Sequence, residues 1–240
     1  MWASVPADIA PSELRVFPVN LGYPPNPPIA RGTPVHLADD AAHVLAQLPA
    51  GPLHLVAHSY GGLIALAMLP KLGGLVRSLA LFEPTLFGAL HALGGEGPGA
   101  VDARGLETNP WFLTDDARGG TEAWLEFFID YWNRPGSWAR IPTPMRAHNL
   151  AIGWKMYQEV RAVFFESGRF EDHPLPPVPV TLVRGERTTA GARAMVDELA
   201  RRTPHARVIE LEGTGHMAPL THPSKVHDAL REHFARAHGR

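Results

Sequence analysis

The chain has 240 residues, 45% of them apolar and 19% charged, which is a globular rather than a disordered composition. Lys and Arg total 22 against 24 Asp and Glu, a net charge of −2, so no basic excess exists to neutralise phosphates and nucleic-acid binding is disfavoured. With no cysteine, disulfides, thiol nucleophiles and cysteine–zinc sites are excluded together. The first predicted element is a short strand over residues 15–19, followed by a Pro/Gly-rich loop over 22–34. Residues 36–48 have helical spacing, with Leu37, Ala41, Val44, Leu45 and Leu48 on one face. Pro49-Ala50-Gly51-Pro52 breaks that helix. Leu53-His54-Leu55-Val56-Ala57 reads as a strand running into His58-Ser59-Tyr60-Gly61-Gly62, and residues 63–72 as a helix apolar all round. Residues 76–82 form a strand closed by Glu83-Pro84.

From 87 to 174 strand alternation disappears, and helical segments carry five of the six tryptophans. Residues 178–183 return to a buried-strand pattern, followed by a helix near 190–202, a strand at 206–211 and a helix at 224–237. Strands alternating with helices imply parallel pairing in an α/β sheet. Residues 1–86 and 175–240 are therefore expected to form the core, with 87–174 inserted as a helical cap. No run approaches the ~18 consecutive apolar residues of a membrane span. The N-terminus has neither a basic nor an apolar signal region, so a cytoplasmic location is expected.

Chemistry concentrates at Ser59. A strand, a sharp turn and a helix place this serine at the apex of a turn, where only small residues fit two positions to either side. Gly61 and Gly62 meet that demand, and Ala57 stands where the strict G-x-S-x-G pattern has its first glycine. The turn also sets Ser59 at a helix N-terminus, whose N–H groups favour developing negative charge. A second motif is Gly213-Thr214-Gly215-His216 after the last strand. The remaining histidines read as surface residues, and neither an H-E-x-x-H pattern nor any other metal-site spacing occurs.

On the two motifs and the order of elements from about residue 16 to 240, the sequence resembles the α/β-hydrolase superfamily. The resemblance implies Ser59 as nucleophile, His216 as base and the backbone N–H of Tyr60 as one oxyanion donor. The family's usual acid is an Asp three residues after the Gly that closes the penultimate strand; here that position is Thr188, after Gly185. Two carboxylates remain open. Glu83 is favoured, because it closes an apolar strand where some branches place their acid, and because a lone carboxylate there is costly to desolvate unless paired. Glu186 is the alternative.

The resemblance also implies a strand and oxyanion loop ahead of residue 15, for which these residues offer no candidate. Residues 1–13 read as the helix that normally follows that loop. Two explanations compete, a chain that starts late and a degenerate member; the late start is favoured and implies a chain that folds poorly or turns over slowly, with an N-terminally extended version doing neither. A serine excludes the branches with an Asp nucleophile. The implied activity is hydrolysis of a small to medium-sized, apolar ester or thioester through an acyl-enzyme. Carbon–carbon hydrolysis, cofactor-free lyase chemistry and non-catalytic binding of a small ligand are the alternatives. No cofactor motif is present, and the implied partner is a small-molecule substrate.

Overall fold

The computed structural model describes Trp2, Val5, Pro6, Asp8, Ile9 and residues 16–239. In chain order the elements are α1 (Leu37–Leu45), β1 (Leu53–His58), α2 (Tyr60–Leu72), β2 (Val76–Phe82), α3 (Phe87–Leu93), α4 (Pro98–Glu107), α5 (Glu122–Trp132), α6 (Ser137–Arg140), α7 (Thr143–Ala151) and α8 (Gly153–Phe165). They continue as β3 (Val180–Gly185), α9 (Ala190–Arg202), β4 (Arg207–Leu211), α10 (Ala218–Thr221) and α11 (Pro223–His238). Among the described residues, no helix is long and apolar enough to cross a membrane.

The four strands lie in sequence order, β1-β2-β3-β4, and every pair is parallel. β2 and β3 are covered on both faces and read as nearly unbroken apolar runs, as parallel strands must when helices flank them. Successive side chains point to opposite faces. Leu79, Leu81, Val180 and Leu182 therefore join the core under α2 and α9, whereas Ala80, Phe82 and Val183 face α11 with Leu230 and Phe234. β1 and β4 lie at the two edges of the described sheet and are correspondingly more open.

The segment at 16–20 is irregular, correcting the predicted first strand, and Val16 and Phe17 are exposed. Pro18 contributes no N–H to a ladder. The backbone of Val19 is satisfied instead by one side chain: its N–H donates to Gln47 Oε1 at 3.0 Å, and its carbonyl accepts from Gln47 Nε2 at 2.9 Å. Arg15 and most of the helix expected over residues 1–13 lie outside the described residues. Ile9 is buried, and the Trp2 ring lies 5.4 Å from that of Phe82.

The segment between β2 and β3 is helical throughout its regular elements, α3 to α8. Its core is aromatic. Phe112, Trp124 and Phe128 stack in sequence, and Trp124 Nε1 donates to the Phe112 carbonyl at 2.9 Å. Two of its helices lean on the sheet layer. Gly99 of α4 sits directly against Ala190 and Ala194 of α9, and the Tyr131 hydroxyl of α5 donates to Asp102 at 2.9 Å and lies 3.2 Å from the Thr189 hydroxyl.

Candidate active site

β1 ends at His58 and α2 starts at Tyr60, leaving Ser59 alone to make the turn at φ 55, ψ −129. Among the described residues only two non-glycine residues have positive φ, Ser59 and Glu83. Such conformations are costly and persist only where the surroundings over-determine them. Here the Ser59 N–H donates to the Phe82 carbonyl, and the Ser59 carbonyl accepts from Gly62 N–H at 2.8 Å and Thr85 N–H at 3.3 Å. The two strained turns thus brace each other across the ends of β1 and β2.

The two glycines after the serine differ in what they do. A Cβ at Gly62 would lie 2.6 Å from Pro84 Cβ, whereas a Cβ at Gly61 meets nothing within 4 Å. Pro84 belongs to the turn that carries Glu83, so Gly62 lets the Ser59 and Glu83 turns touch. Gly62→Ala is expected to cost about 1–3 kcal/mol through overpacking, and Gly61→Ala less than about 0.5 kcal/mol. Urea unfolding of the two variants measures the difference, and equal costs would show that the turns do not need this contact.

His216 lies in the loop between β4 and α10 and is 3% exposed. Its Nδ1 is 2.7 Å from Glu83 Oε2 and its Nε2 is 2.9 Å from Ser59 Oγ. An ionised carboxylate only accepts, so Nδ1 carries the proton in the neutral ring, and Nε2 is left with a lone pair for the serine hydroxyl. Glu83 is fully engaged. Its Oε1 accepts from Gly185 N–H at 2.6 Å, and its Oε2 also accepts from the Thr188 hydroxyl at 2.6 Å. Burial pushes the Glu83 carboxyl up. The hydrogen bond and charge of His216 outweigh it, with Gly185 and Thr188 adding to the pull, and hold the group below the usual carboxylate range.

In the sequence Thr188 stands out only by its place, where an Asp is usual. In the structure its hydroxyl holds the acid. Glu186 has no hydrogen bond to His216 among the described residues. Its Oε2 accepts from Gly213 N–H at 2.7 Å and so ties down the loop that carries His216.

Two aromatic neighbours of His216 had no signal in the sequence beyond their composition. The Trp132 ring, at the end of α5, stacks on the imidazole at 3.7 Å between centroids and 22° between planes. His58 is the second neighbour, 4.7 Å away between ring centroids, its Nε2–H donating to the His216 carbonyl at 2.8 Å. Burial, with the nearby His216 charge, pulls His58 down to about 3, so it is neutral at ordinary pH. Against expectation, His58 and His233 are not surface histidines: His58 is only partly exposed, and His233 is fully buried on the inner face of α11.

Ser59 and Tyr60 open onto a cavity of about 70 Å³ walled by Phe87, Phe112, Trp132 and Val163, with Thr85 and Glu159 as polar members. The Tyr60 N–H is at the first position of α2, where the helix itself supplies no acceptor. The arrangement pairs a hydroxyl, an imidazole and a buried carboxylate in one hydrogen-bonded line at the mouth of an apolar cavity. A line of that kind can generate an alkoxide-like nucleophile.

The model of the alpha/beta hydrolase family matches residues 1–229. A search of curated proteins finds no match. Among solved structures, a thermophilic esterase from Thermogutta terrifontis superposes with a TM-score of 0.60 at 18% identity, covering 91% of this chain and 78% of that one. A hydrolase from Pseudomonas aeruginosa PA01 gives 0.60 at 17% identity, covering 90% and 77%. A 2-hydroxy-6-oxo-6-phenylhexa-2,4-dienoate hydrolase from Rhodococcus sp. strain RHA1 gives 0.56 at 19% identity, covering 85% and 74%. At these identities the likeness is one of fold.

Proposed function

The chain belongs to the α/β-hydrolase family, and on that premise we propose that it is a serine hydrolase of small esters or thioesters. The observation that carries this reading is His216 bridging Glu83 and Ser59 at 2.7 and 2.9 Å. Ser59 Oγ attacks the substrate carbonyl as His216 Nε2 takes its proton. Glu83 holds the ring in the productive tautomer and stabilises the imidazolium. The flat Trp132 ring against that imidazolium adds a cation–π contribution of about 1–2 kcal/mol. The Tyr60 N–H receives the developing oxyanion. His216 then protonates the leaving group, an acyl-enzyme remains on Ser59, and a water activated by the same imidazole releases the acid.

Helices α3 to α8, within residues 87–174, serve as the cap that keeps this chemistry in an apolar setting. Nothing in the sequence calls for a cofactor in these steps. Carbon–carbon hydrolysis of a diketone would use the same pair of residues.

The deciding experiment is covalent labelling with a fluorophosphonate probe. Labelling of the wild type, lost in Ser59→Ala, is expected. A folded wild-type protein that resists the probe would remove the nucleophile and leave a ligand-binding protein.

A further inference from the structure

A buried ionic cluster adjoins the cavity, and the steps above make no use of it. α8 presents Lys155 and Glu159 one turn apart, and α1 presents Asp40. Lys155 Nζ donates to Asp40 Oδ2 at 2.8 Å and to Glu159 Oε1 at 2.7 Å. Tyr60 donates to the same Asp40 oxygen at 2.7 Å, and Tyr23 donates to Glu159 Oε2 at 2.9 Å. One ammonium therefore serves two carboxylates, which leaves one negative charge over. The side chains of Asp40 and Lys155 are sealed, at 0% and 1% exposure, while Glu159 keeps 12% and lines the cavity.

An independent observation concerns Thr85, another residue of the cavity wall. Its hydroxyl oxygen is buried and has no hydrogen-bond partner among the described residues. Most of the wall is aromatic or aliphatic. Two polar groups with unspent capacity therefore border an otherwise apolar space. Each Glu159 oxygen has a single partner and can accept again, and the Thr85 hydroxyl can donate or accept. Buried polar groups left unmatched are costly, and native proteins pair nearly all of them. Burial pushes the Glu159 carboxyl up. Lys155 opposes this and the Asp40 charge adds to it, so a further donor at Glu159 would offset the cost of burying its charge.

We propose that this cavity binds a short acyl group carrying its own hydrogen-bond donor, a hydroxyl or an ammonium, which Glu159 and Thr85 receive. A cavity of about 70 Å³ is several times the roughly 10–15 Å³ needed to admit a single water, which leaves room for a short acyl chain. Placing the acyl end here rests on Ser59 as nucleophile, but the binding of a donor does not.

The test uses the full chain with Ser59→Ala, so that binding is read without turnover. Affinities are measured by ligand-observed NMR for methyl butanoate, methyl 3-hydroxybutanoate and methyl 3-aminobutanoate, the last protonated at pH 7. One charge-assisted hydrogen bond predicts that the hydroxy or the ammonium ester binds about tenfold tighter than the parent. Which of the two leads identifies the donor. Adding Glu159→Met should bring the preference to within about twofold. That variant leaves Lys155 paired one-to-one with Asp40, so it relieves the surplus charge instead of stranding a cation. Thr85→Val, of equal volume, gives a second reading if Glu159→Met does not fold, with an expected loss of about threefold in the preference. Methyl butanoate binding as tightly as the donor-bearing esters, no binding of any of the three, or a preference that survives both substitutions overturns the proposal. A wild type that resists fluorophosphonate while the Ser59→Ala chain keeps its preference would sink the hydrolase reading and leave this site standing.

Discussion

Glu83→Gln is expected to lower kcat/KM for an ester by about 10⁴-fold, while Glu186→Gln changes it by less than about threefold. The argument lies in the donors around the carboxylate. Gly185 N–H points at Oε1 and must find an acceptor there, so a glutamine turns its amide oxygen to that side. Its NH₂ then faces His216 Nδ1 and the Thr188 hydroxyl at the Oε2 position. Thr188 can rotate and accept. The imidazole adapts only by moving its proton to Nε2, and there it can no longer take the proton of Ser59. Size and fold are preserved, so the loss falls on kcat, with the melting temperature as a control. Glu186→Gln retains an amide oxygen for Gly213 N–H, and the histidine loop keeps its tether. A Glu83→Gln enzyme within tenfold of wild type, or a Glu186→Gln enzyme more than a hundredfold down, would reverse the choice of acid.

Much of this line can be read in the sequence, because each member sits at the end of a patterned strand. Ser59 follows β1 and precedes two glycines, Glu83 closes the apolar run of β2, and His216 follows β4 in a glycine-rich loop. The partners that fix them are another matter. Gly185 and Thr188 meet Glu83 across more than a hundred residues, and Trp132 reaches His216 from the end of a helix whose Trp124 and Phe128 pack within the helical layer. Nothing in local spacing distinguishes Trp132 from Trp124. The false strand at 15–19 shows the opposite failure. Its residues suit a strand, but Gln47 in the turn after α1 satisfies the Val19 backbone from a side chain, which no periodicity reveals. His233, unlike these, does carry a signal of its burial in the sequence. It continues the buried stripe Val226, Ala229, Leu230 and Phe234 along α11, at spacings of three and four.

That buried histidine makes the fold sensitive to acid. His233 sits under the sheet, between the Thr181 hydroxyl on Nδ1 and the Ser78 hydroxyl on Nε2, both at 2.8 Å, and Ser78 also meets His54 Nδ1 at 2.7 Å. Burial first, then the charges of His54 and Arg236, pulls His233 down to about 4. In the unfolded chain it titrates near its ordinary value of about 6.5. Above about pH 6.5 both states are neutral and the stability is intact. As pH falls, the unfolded chain binds the proton first, so stability declines until the folded form also protonates near pH 4. The difference amounts to roughly 3 kcal/mol. His58, pulled down to about 3, acts in the same direction over the same window and below it. Together these histidines can remove a large part of the about 5–15 kcal/mol available to a domain. The melting temperature is therefore expected to fall steeply between pH 6.5 and pH 4. His233→Gln, which cannot titrate, should start lower at pH 7 for want of a well-fitted partner between Ser78 and Thr181, yet lose less on acidification. The slope against pH separates the two effects, because a lost contact alone shifts the whole curve without changing its gradient. A wild-type curve that stays flat over this window, or a variant with the same gradient, would show that His233 is not charged differently in the folded and unfolded states.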